Sequence, residues 1–127
     1  YTNYRAIVSI DSDDDIFGVY YICPMKIVEE RRRDVAQYLA AVNYKVMLGH
    51  FDLDFRDGEV RFKISTILKG SKLSREMVKQ MVGISMKTMD RFFPGIMAVE
   101  FGNVAFLDAL ENVEQSNAAV PPPAQSQ

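Results

Sequence analysis

One cysteine, one histidine and no tryptophan occur in this chain of 127 residues. With a single thiol, Cys23, no disulfide can close within it. A zinc site needs three or four nitrogen or sulfur ligands, and only His50 and Cys23 supply them. No G-x-G-x-x-G and no P-loop is present, so nucleotide phosphates have no ready cradle. Neither sign of charge dominates: fifteen basic residues against seventeen acidic leave a net charge of −2. That balance excludes a general nucleic-acid binder. No uninterrupted apolar run approaches the ~18 residues of a membrane span.

What is present is core material. Leu, Ile, Val and Phe number 37, well above the ~20% level that marks disordered chains. A chain of this length makes one domain and buries roughly two-thirds of its unfolded surface, without metal or disulfide support. It opens on Tyr1 in a strand-like run with no initiator Met, which reads as a fragment or a processed product.

Residues 4–10 and 16–23 are rich in β-branched and aromatic side chains, with Asp11 to Asp15 between them, and read as a β-hairpin. Both strands are apolar at odd and even positions alike, which predicts cover on both faces. Pro24 is expected to end the second strand. From Val28 to about Tyr44 the period becomes helical, with Val35, Leu39, Val42 and Val46 on one side.

Residues 48–68 alternate around Asp57-Gly58, a strong hairpin signal. Taking those two residues as a type I′ loop pairs Asp54 with Arg61, Leu53 with Phe62 and Asp52 with Lys63. Phe51, Leu53, Phe55, Val60, Phe62 and Ile64 then share the core face. Ser74 is a candidate N-cap for a helix to about Phe93, with Pro94-Gly95 as its stop. Residues 96–101 read as a short strand and 104–113 as a weak helix. The expected order is β-β-α-β-β-α-β-α, an α+β layer structure with helices on one face of antiparallel hairpins. Residues 1–114 form the single domain. Residues 115–127, which include Pro121-Pro122-Pro123, are expected to be an extended or disordered tail.

No residue set carries chemistry. The Asp11-x-Asp13-x-Asp15 spacing opens like a calcium loop, but Ile16 replaces the required Gly and Ile22 the required Glu. Asp52 and Asp54 lie on one strand face, each with a basic residue expected opposite, so they read as a surface ladder. Arg31-Arg32-Arg33 is flanked by Glu29, Glu30 and Asp34 and reads as a solvated helix face. Four of the seven methionines, Met77, Met81, Met86 and Met89, fall in one helix; Met86 is at the edge of its apolar stripe. Methionine recurs at adaptable binding surfaces.

The stretch NYKVMLGHFDLDFRDGEVRFKIST (43–66) and the ending DRFFPGIMAVEFG (90–102) resemble the YbjN family. Asn43-Tyr44, Gly49-x-Phe51, Asp57-Gly58 and Pro94 carry the likeness, over roughly residues 5–102. The resemblance implies a sensory-transduction regulator with a fold like type III secretion chaperones, small proteins that dimerise and bind other proteins. It implies no catalytic residues and no cofactor. The family pattern places a helix before the first strand, and this chain, opening on strand-like residues, is expected to lack it.

These readings converge on a non-enzymatic protein-binding module, a homodimer or part of a larger assembly, with the cytoplasm as expected compartment. The expected partner-binding residues are Ile7, Phe17, Val19, Tyr20, Tyr21 and Met86. A ligand-sensing domain with a small apolar pocket is the alternative.

Overall fold

A computed structural model describes residues 5–11, 13 and 15–119, the side chains of 117–119 excepted. Strand β1 (Arg5–Asp11) and strand β2 (Ile16–Lys26) form the first hairpin. A 3-10 turn (Glu29–Arg31) leads into helix α1 (Arg32–Lys45). Strand β3 (His50–Leu53) and strand β4 (Glu59–Ile67) form the second hairpin. Helices α2 (Arg75–Phe101) and α3 (Phe106–Ala119) complete the order. The result is α+β: one antiparallel sheet in the order β1-β2-β4-β3, with the helices on one face.

Side-chain alternation fixes the two faces. Phe17, Val19 and Tyr21 of β2 point the same way as Val60, Phe62 and Ile64 of β4, and all are buried. Against them pack Val35, Tyr38, Leu39 and Val42 of α1, and Met81, Met89, Phe92 and Ile96 of α2. Each such side chain contributes about 1.5–3 kcal/mol by leaving water. Helix α3 adds Ala109, Leu110 and Val113 beside α1 and α2.

Several expectations are corrected. Pro24 does not end its strand; β2 runs past it to Lys26, with a register shift between Ile22 and Lys26. A bulge is where a strand tolerates a residue without an amide hydrogen.

The second hairpin keeps its faces and loses its expected register. Leu53 faces Val60, Asp52 faces Arg61 and Phe51 faces Phe62, a shift of two residues. A shift of two leaves every side chain on its own face. The loop is 54–58 instead of two residues, closed by Gly58 N–H donating to Asp54 O (2.7 Å) and Asp54 N–H donating to Glu59 O (2.9 Å). Ile27 N–H donates to Gly58 O (2.8 Å), and Arg32 donates to Phe55 O (3.1 Å). Gly58 sits at φ +84°, with its α-carbon so close to Ile27 that a Cβ would overlap that backbone. Phe55 is thereby carried out of the core and is exposed, and Leu53 is half-buried.

Pro94-Gly95 does not stop α2, and the strand expected at 96–101 is helix. Buried Met89, Phe92, Phe93, Ile96 and Val99 continue one helical stripe through the proline. Gly95 lets the Tyr38 ring lie against the helix backbone, where the hydroxyl donates to Phe92 O (2.8 Å). The expected N-cap is in place: Ser74 Oγ accepts from Met77 N–H (3.0 Å).

The helix expected over 104–113 extends to Ala119, so residues 115–119 are helical instead of extended. Ala118 and Ala119 are strong helix formers. The expectation for Pro121-Pro122-Pro123 lies outside the described residues.

Candidate protein-binding surfaces

The two sheet edges are treated differently. At β3, Asn43 near the end of α1 reaches the strand backbone: its Oδ1 accepts from Phe51 N–H (2.7 Å), and its Nδ2 donates to Phe51 O (3.0 Å). One side-chain amide thus takes the place of a neighbouring strand. At β1 all seven residues are exposed. Ile7 is 41% exposed, Val8 50% and Ile10 64%, so this edge is apolar as well as open. The hairpin expected to be covered on both faces is covered only at β2. Sequence did not reveal which of its strands would be central.

Of the six expected partner-binding residues, Phe17 and Val19 are fully buried and Tyr21 nearly so. They belong to the domain's own core and are not available to a partner. Ile7 and Met86 are exposed, and Tyr20 is half-buried on the sheet face away from the helices. There Tyr20 lies beneath the Arg61 guanidinium (4.6 Å) and the Lys63 ammonium (5.8 Å). Arg61 Nε also meets Asp52 Oδ2 (2.9 Å), and His50 Nε2 meets Asp52 Oδ1 (3.1 Å). Asp54 pairs with Arg56 of its own loop instead of Arg61 (2.9 Å); that guanidinium and the Arg56 amide hold its carboxyl down to about 2. This face is an ion-paired ladder.

Cys23 is buried, and burial pushes its thiol up, which disfavours the reactive thiolate. Nearby Glu100 is buried at the end of α2. Its Oε2 accepts from Val28 N–H (3.0 Å) at the start of the 3-10 turn. Its Oε1 has no hydrogen-bond partner among the described residues. Of the arginine triplet, Arg31 bonds Asp34 and Asn103, and Arg32 bonds Ile27 O and Phe55 O. Two of the three are thus structural. Among the described residues no group of three or more His, Cys, Asp or Glu could hold a metal ion. No helix of those residues is long and apolar enough to cross a membrane.

Sequence reasoning missed the exposed side chains at the end of α1 and just after it. Tyr44 is 93% exposed, Met47 94% and Leu48 55%. Met47 and Leu48 border a cleft of about 600 Å³ lined by Lys45, Val46, Ile84, Lys87, Arg91 and Phe92, among others. In the sequence Tyr44 stands out only as the expected helix end and, with Asn43, in the family likeness, and Met47 only within the stretch 43–66.

The described residues define a small α+β domain with one helix-covered sheet face, one edge capped by Asn43 and one open edge at β1. The family model YbjN, described as "Putative bacterial sensory transduction regulator", matches residues 1–97. The chain belongs to the YbjN family, and a regulatory role is what that family carries. No curated protein matches the chain.

Proposed function

We propose that this chain is a non-enzymatic regulatory adaptor that works as a homodimer, two copies joined through β1, in the manner of chaperone-like binding proteins. The observation that carries this is the open β1 edge. An edge strand seven residues long, paired on one side only among the described residues and with no proline or lysine to blunt its outer edge, is a template for another strand. The strand also complements itself. In an antiparallel pair, residues of like hydrogen-bonding type face each other, so a two-fold axis passes through a residue pair. Centred on Val8, the pairing uses the whole strand. Arg5 faces Asp11 of the second copy, Ala6 faces Ile10, Ile7 faces Ser9, and Val8 faces Val8. Centred on Ile7 or Ser9, fewer of the described residues of β1 pair, and Arg5 and Asp11 no longer oppose each other. Val8 and Ile10 share the helix side of the sheet with Val19 and Phe17, so pairing extends the apolar layer across both copies.

Light scattering on the purified chain tests this. The expected mass is twice 14.4 kDa. Val8→Lys should shift it to the monomer with no change in helix content, because Val8 is exposed in the single chain. Arg5→Asp should weaken the dimer, and Arg5→Asp with Asp11→Arg should restore it. A wild-type monomer at tens of micromolar overturns the dimer.

A further inference from the structure

We infer that the outer face of α2 is a docking groove for an acidic amphipathic peptide segment of a partner protein. This rests on the adaptor reading and gives the chemistry of the partner. Three depressions run together along α2. One lies by Leu48, Ile64, Met77 and Met81; one by Glu76, Lys79, Gln80 and Gly83; the third is the cleft by Lys45 and Arg91. All three share Ile84; Leu48 borders two of them, and so does Lys87.

Helical spacing explains the alignment. Met77, Gln80, Ile84, Lys87 and Arg91 recur at steps of three and four, so they form one stripe. From Met77 to Arg91 the stripe is about 21 Å long, the length of a helical peptide of about fourteen residues. The floor is apolar: Leu48, Met77, Met81, Ile84 and Phe92. The walls are basic: Lys79, Lys87 and Arg91 on the helix and Lys45 opposite.

Charge selects the occupant. The chain as a whole is acidic, with net charge −2, yet this strip holds four cations against Glu76 and Glu114. Glu114 is held by Lys45 at 3.0 Å. Lys79 and Lys87 make no ion pair among the described residues, and both are exposed. An acidic segment with an apolar stripe satisfies walls and floor together. Residues 120–127 carry no charged side chain and so do not complement the strip. A nucleic acid matches the cations but leaves the apolar floor unused, and the rest of the acidic chain repels it.

The probe is a labelled fourteen-residue peptide with leucines on one helical face and glutamates on the other, titrated with the intact chain by fluorescence anisotropy. The inference requires saturable binding that weakens at least about tenfold in Lys87→Glu and in Leu48→Ser, both exposed and both expected to melt like the parent. Binding should weaken as salt is raised and be absent for the peptide with lysine in place of glutamate. Val8→Lys should leave peptide affinity unchanged while altering mass, which separates failure of the groove from failure of the dimer. No saturable binding, indifference to Lys87→Glu, or stronger competition from a short single-stranded oligonucleotide overturns the inference.

Discussion

Asn43 and Phe51 exchange two hydrogen bonds, amide to backbone, at 2.7 and 3.0 Å. A helix side chain thereby closes the β3 edge and fixes the angle at which α1 meets the sheet. Among the described residues, β1 at the other side of the sheet has no comparable shield. The sequence pair Asn43-Tyr44 followed by Gly49-x-Phe51 is the local record of this clamp.

Asn43→Ala leaves the Phe51 amide and carbonyl without that partner at a partly buried site. The cost expected is about 1–3 kcal/mol, since a buried backbone group loses its hydrogen bond without regaining water. Urea denaturation with an unchanged m-value checks it.

Gly95 and Gly83 lie in the same helix and should respond oppositely to alanine. A Cβ at Gly95 overlaps the Tyr38 ring and hydroxyl, whereas a Cβ at Gly83 meets nothing within 4 Å. Gly83→Ala is expected to stabilise by about 0.5–1 kcal/mol through helix propensity. Gly95→Ala is expected to destabilise by about 1–3 kcal/mol through overpacking against a fully buried side chain. Thermal melts of the two variants side by side decide the matter; equal behaviour would mean that Tyr38 does not lie against Gly95.

Asp54 is expected to titrate at about 2 instead of the ordinary 3.8. Its folded-state value is depressed, so its contribution to stability is present above pH 4 and lost as pH falls through about 2. The side chain is partly exposed in the loop, so solvent screens the pair and the effect belongs to loop order more than to global stability. Carboxyl NMR of the Asp54 side chain measures it, and Arg56→Ala should return the midpoint toward 3.8.

The parts of the fold that could be read from sequence are those set by local periodicity. Parity alone placed Phe51, Val60, Phe62 and Ile64 on the core face, and it survived a register error because the error was even. The register itself depended on Arg32 and Ile27 holding the 54–58 loop from another part of the chain, which no local pattern shows. Pro94-Gly95 looks like a helix stop until Tyr38 is packed beside it. Of the six expected surface residues, Ile7, Met86 and in part Tyr20 lie at the surface, while Phe17, Val19 and Tyr21 are core because β2 is an inner strand. Leu48, Lys87 and Arg91 meet only after α1 and α2 are packed.

The central claim is that two copies pair along β1 about Val8. Val8→Cys tests it most directly, since directly opposed β-carbons in an antiparallel pair lie about 4.5–5.5 Å apart, close enough for a disulfide after small adjustment. Cys23 is buried and leaves the new thiol as the reactive one. Under mild oxidation, non-reducing electrophoresis should show a covalent dimer for Val8→Cys and little for Ile7→Cys, which faces Ser9. A Val8→Cys chain that stays monomeric, or an Ile7→Cys chain that links as readily, would contradict the pairing.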